Sequence, residues 1–303
     1  RVSGTIRGRG QGFSPATMAL DASVSLRDTS YGPYRLASLT TTARIRDGRL
    51  TSSTDALLNG GRWQFAINGT PFADTPTVEL ADGRFSDVDL GALLADTTQS
   101  STLRGTVRGR VTGTDPESMT ADLALSLDSS RINRQRIDDA ALDVRLAAAR
   151  VDADLTLETP EGRATLQAVA RPFDTVPSAR ITDGTFTNLN VGSIADLPGL
   201  TTALSGTVSG SGRGATLDAL TMDAALSLTD SRINDATLST GTLSVSAGKG
   251  RANIDGDVAV AEGRVRVRGR VANLDTTPTY TLRTEVGKLN AAALAGRGSL
   301  TAR

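Results

Sequence analysis

The chain has 303 residues, with 33 Lys+Arg against 33 Asp+Glu, no Cys, no His and only 3% aromatic residues. The charge balance gives no reason to expect a nucleic acid partner. The missing Cys excludes disulfides and thiolate metal sites, and the missing His removes the commonest general base and metal ligand. No run of about 18 apolar residues occurs, so no segment reads as a bilayer-spanning helix.

Taken in chain order, the sequence opens on Gly4-Thr5-Ile6-Arg7-Gly8 and then alternates with a period of two. Trp63, Phe65 and Ile67 are one such alternating set, expected on the apolar face of a strand and read first as packing residues. Turn signals stand at Asp47-Gly48, Asn59-Gly60-Gly61 and Asp82-Gly83. The segment Asp89-Leu90-Gly91-Ala92-Leu93-Leu94 breaks the period. Its Asp is a good N-cap, so a short helix is expected there.

The opening then returns as Gly105-Thr106-Val107-Arg108-Gly109. Leu123, Leu125 and Leu127 alternate with polar or small residues, as do Leu142 with Val144 and Val151 with Leu155. Glu161-Gly162 and Asp183-Gly184 mark turns, and a second short helix is expected from Asn190. A third opening is Gly206-Thr207-Val208-Ser209-Gly210. Leu226 and Leu228, Val245, Val258, and then Val265 with Val267 continue the pattern, before a last capped segment from Asn290 to Leu294. Ser130-Arg131-Ile132-Asn133 reappears as Ser231-Arg232-Ile233-Asn234, and Gly61-Arg62, Gly162-Arg163 and Gly263-Arg264 keep the same spacing of 101 residues.

A period this regular means tandem units rather than one globule built around one site. The expected division is 1–101, 102–203 and 204–303, as a stretch of a longer protein. The expected fold is all-β, with roughly seven or eight strands per repeat. One-sided strands must hide their apolar faces, so the elongated antiparallel sheet is expected to curl into an open groove (a β-taco), with one short helix per repeat. Its lining candidates are Leu123, Leu125, Leu127, Leu142, Val144, Leu155, Leu226, Leu228, Val245, Val258, Val265 and Val267. A lining of medium aliphatics offers dispersion contacts without polar demands, which suits phospholipid acyl chains.

Nothing in the sequence reads as catalysis, so the chain is expected not to be an enzyme and to need no cofactor. Gly8-Arg9-Gly10-Gln11-Gly12 and Gly206 to Gly214 lack the Lys-Ser/Thr of a phosphate loop and are read as inter-strand turns. The run Arg264 to Arg270 is read as the solvated face of a strand. Asp152-Ala153-Asp154 and Asn253-Ile254-Asp255-Gly256-Asp257 fall short of a calcium ligand set.

The Leu-Ser/Arg-Gly-Thr-Val opening, the Gly-x-Gly stretch at 210–214, the Leu-x-Leu strands, Ser-Arg-Ile-Asn, the Gly-Arg strand and the short capped helix resemble the repeat region of AsmA-like proteins. Among these they look most like the TamB-like large subunit of the translocation and assembly module. The resemblance implies a periplasmic segment of an inner-membrane-anchored protein that conducts phospholipid toward the outer membrane or supports its assembly. It also implies an outer-membrane barrel partner reached through parts outside this stretch. The competing expectation is a structural or adhesive β-repeat stalk with filled cores. A membrane barrel ranks lower, because its aromatic girdles need more than 3% aromatic residues.

Overall fold

A computed structural model describes residues 2–12, 14, 17–95, 100–216, 219–260, 263–272 and 279–287. The described chain is all-β apart from two helical turns. It divides into two compact units, Arg1–Ala149 and Arg150–Arg303.

The first unit is an antiparallel meander whose strands pair in chain order. These are β1 (Gly4–Gln11), β2 (Ala19–Tyr31), β3 (Tyr34–Arg46), β4 (Arg49–Leu58), β5 (Gly61–Thr70), β6 (Thr77–Val88), β7 (Ser101–Thr112), β8 (Thr120–Ile132) and β9 (Gln135–Ala147). Helix α1 (Leu90–Leu94) links β6 to β7. The second unit follows the same plan. Its strands are β10 (Arg150–Glu158), β11 (Arg163–Arg171), β12 (Ser178–Leu189), β13 (Thr202–Arg213), β14 (Thr221–Ile233), β15 (Ala236–Gly248), β16 (Arg251–Val260), β17 (Gly263–Ala272) and β18 (Thr279–Gly287). Helix α2 (Val191–Ile194) links β12 to β13.

Among the described residues each 101-residue stretch therefore carries six strands, not the seven or eight expected from turn spacing. Two facts explain the difference. Several strands run to 13 residues. In addition, two Asp-Gly pairs are not turns at all. Asp82-Gly83 and Asp183-Gly184 lie inside β6 and β12, where the register against the preceding strand shifts. One extra residue on the bulged strand bends it without ending it. By contrast, Asp47-Gly48 and Asn59-Gly60 have positive φ at both residues, as two-residue hairpins of this twist require.

The glycine-rich segments are a second correction. They form strands, with β1 ending at Gln11 and β13 at Arg213, rather than turns. The helix expected from Asn290 lies outside the described residues.

The recurring motifs hold the strand connections in place. Asn133 and Asn234, both at positive φ in hairpin turns, accept from the backbone N–H of Ser100 at 3.0 Å and Thr201 at 2.8 Å. Ser130 and Ser231, each 1% exposed, sit beside register shifts where β7 and β13 begin. The Ser130 hydroxyl accepts from Arg104 N–H at 3.0 Å and donates to the Arg104 carbonyl at 3.1 Å. Ser231 does the same for Ser205 at 2.9 and 3.1 Å. Both groups freed by the irregular register are thereby satisfied, as buried backbone must be.

Candidate functional site

Alternation along strands, combined with the pairing between them, sorts the side chains of each unit onto two faces. In the first unit, Leu123 stands opposite Gly109 and Val144, Leu125 opposite Val107 and Leu142, and Leu127 opposite Gly105 and Ala140. The row through Leu127 continues across Phe85, Trp63, Ala56 and Leu39 to Leu26. One apolar face thus crosses the whole nine-strand meander.

The second unit repeats the arrangement. Leu155 faces Leu166, Leu226 faces Val208 and Leu243, and Leu228 faces Gly206 and Gly241. Val245 lies between Ala224 and Ile254, Val258 between Gly241 and Val265, and Val267 faces Gly256. All twelve residues singled out in the sequence fall on these apolar faces, five in the first unit and seven in the second. Leu123 is 41% exposed and the other eleven are half-buried.

The buried apolar cluster of the first unit lies at the helix end of its strands. Phe85, Val88 and Leu103 are 7%, 2% and 6% exposed, and Leu90 and Leu93 of α1 pack on them together with Trp63, Leu125, Leu127 and Ile132. The Trp63 and Phe85 rings lie 5.6 Å apart and tilted by 31°, so Trp63 serves packing, as read from the sequence. A helix of five residues has no stability of its own. It is held by Asp89, whose carboxylate accepts from Gly91 N–H at 3.0 Å and Ser101 N–H at 3.1 Å, and by Asn59, which donates to the Ala92 carbonyl at 2.9 Å. In α2, Asn190 accepts from Ser193 N–H at 3.2 Å, and Thr202 accepts from Val191 N–H at 2.8 Å.

The opposite face carries the charge, and here the sequence reading missed a relationship. The Arg run of β17 and the Asn/Asp run of β16 are one cross-strand ladder. Asp257 accepts from Arg264 and from Arg266, the latter at 3.0 Å, while Asp255 accepts from Arg268 at 3.2 Å and Asn253 from Arg270 at 3.4 Å. The Arg264 guanidinium, helped by Arg266, holds the Asp257 carboxyl below the usual carboxylate range, although partial burial pushes the other way. Only 17% of that side chain is exposed. Arg150 also pairs with Asp152 at 2.6 Å, and Arg46 and Arg44 pair with Asp21. Strand pairing, which the sequence does not state, is the signal that joins these runs.

Among the described residues no three His, Cys, Asp or Glu side chains gather as a metal site. Recesses open on the charged face, one of about 870 Å³ over β1–β4 and one of about 670 Å³ over β10–β14. No family model matches the chain, and neither the curated proteins nor the solved structures contain a match. Chemically, the apolar face offers dispersion contact and exclusion of water. The charged face offers exposed guanidinium groups and their carboxylate partners.

Proposed function

We propose that this chain is a non-catalytic segment of a bacterial envelope-spanning protein. Its apolar sheet face curls into a groove that binds phospholipid acyl chains and conducts them between membranes, in support of outer-membrane assembly. The observation that carries this reading is a continuous apolar face across nine strands in each unit, whose central residues stay half-exposed. In a filled core, residues such as Leu125 and Leu226 would be almost fully covered. Burying such a surface against hydrocarbon is worth about 25 cal/mol per Å², so an acyl chain is a fitting occupant. The resemblance to AsmA-like and TamB-like repeats points the same way and implies a periplasmic location. The stalk reading draws its support from the buried cluster beneath α1, which closes one end of the face.

The test is mass spectrometry of lipids that co-purify with the chain from a bacterial host, comparing the parent with Leu125→Arg/Leu226→Arg. Retained phospholipid, lost in the double variant while circular dichroism stays that of a β-protein, is the expected result. A folded parent free of lipid would favour the stalk.

A further inference from the structure

Of the second-unit arginines that have no carboxylate at ion-pair distance among the described residues, Arg171, Arg180 and Arg213 stand together on the charged face. They are neighbours by register. Arg171 pairs with Ser178, Ser178 with Arg213, and Arg180 with Val169 and Ser211. From strand spacing and rise, the Cα of Arg180 lies roughly 8 Å from each of the other two, which are roughly 10 Å apart. Their side chains line the 670 Å³ recess together with Arg150, which Asp152 already holds, and Asp223 is the one carboxylate among the lining residues. Arg213 spends one N–H on the Thr221 hydroxyl at 3.3 Å.

A second observation stands beside the first. The turn between Arg171 and Arg180 exposes two apolar side chains, Phe173 at 50% and Val176 at 55%. The arginines are not needed to build the fold. The positions 101 residues earlier are Thr70, Glu79 and Thr112, in strands that pair the same way, although Phe72 there is 47% exposed. The positive charge is thus added to this repeat over and above its architecture.

We propose that the β11–β12 turn and the strands flanking it dock on an anionic phospholipid surface. Arg171, Arg180 and Arg213 take headgroup phosphates, and Phe173 and Val176 enter the interface. Guanidinium forks match phosphate oxygens, and exposed apolar groups beside them add the burial that holds a peripheral contact. The site lies on the face opposite the apolar rows, and it stands whether or not those rows carry acyl chains.

Vesicle flotation of the full chain tests it, with phosphatidylglycerol mixed into phosphatidylcholine against pure phosphatidylcholine. Association with the anionic vesicles alone, weakened by added salt, is expected. Arg171→Gln/Arg180→Gln/Arg213→Gln should lower it roughly tenfold or more. Phe173→Ser/Val176→Ser should lower it too, whereas Phe72→Ser should leave it unchanged. If the triple arginine variant loses its β spectrum, the exposed-turn variant decides alone. No recruitment of the parent, or equal recruitment of a folded triple variant, overturns the proposal. So does titration with inorganic phosphate that saturates the parent while vesicles fail to recruit it, since that marks a free-anion site.

Discussion

At Gly105 a Cβ atom would fall 1.9 Å from the Ser126 carbonyl oxygen and 2.9 Å from the Phe85 ring. At Gly4 and Gly206 the equivalent atom would meet the Ser25 and Ser227 carbonyls at 2.2 and 1.9 Å. The most regular landmark of the sequence is therefore a place where two backbones approach too closely for any side chain. Gly8, a few residues along β1, has only the Asp21 carbonyl at 3.8 Å, an ordinary contact. Gly105→Ala should accordingly destabilise the chain by about 2 kcal/mol or more through overpacking. Gly8→Ala should be neutral or slightly stabilising, because it restrains the unfolded chain. Urea unfolding of the two variants beside the parent reads the contrast, and equal effects would remove this explanation of the landmark. The sequence shows that Gly recurs; only the paired strands show what it avoids.

Among the elements, β16 and β17 make the clearest case of what a sequence withholds. Alternation alone places Arg264, Arg266, Arg268 and Arg270 on one face of a strand, and the structure agrees. Which acids neutralise them depends on register, and register puts Asp257 opposite Arg266 and within reach of Arg264. Because these arginines lower the Asp257 pKa in the folded state, their stabilisation is present above the unfolded carboxylate value, about 3.9. It is lost as pH falls through the lower folded value. The urea midpoint of Asp257→Asn should therefore lie below the parent's at neutral pH and converge with it in strong acid. A difference that stays constant with pH would mean the pair is not ionic.

Turns and bulges show the same limit at the level of elements. Asp47-Gly48 ends a strand and Asp82-Gly83 does not, although both dipeptides tolerate the backbone that either device needs. The short helices were legible because Asp89 and Asn190 cap them and the period of two stops there.

For the molecule as a whole, strand chemistry decides the faces and pairing aligns them. Twelve residues chosen by alternation all arrive on apolar faces, since a period of two cannot place i and i+2 on opposite sides of a strand. What alternation does not reveal is coverage: the helix end of the first unit is buried beneath α1, while Leu123 and Leu243 remain 41% and 39% exposed. The proposed function requires that uncovered face to hold acyl chains, and adjacent residues test it directly. A photoreactive phenylalanine analogue would be placed at Leu125 or Leu226 on the apolar face, and at Ser126 or Ser227 on the other. After irradiation in a bacterial host, lipid adducts would be read by mass spectrometry of the intact chain. Phospholipid adducts at Leu125 and Leu226, with none at Ser126 and Ser227, are the predicted result. Adducts at neither pair, or equally at both, in a folded chain would contradict it.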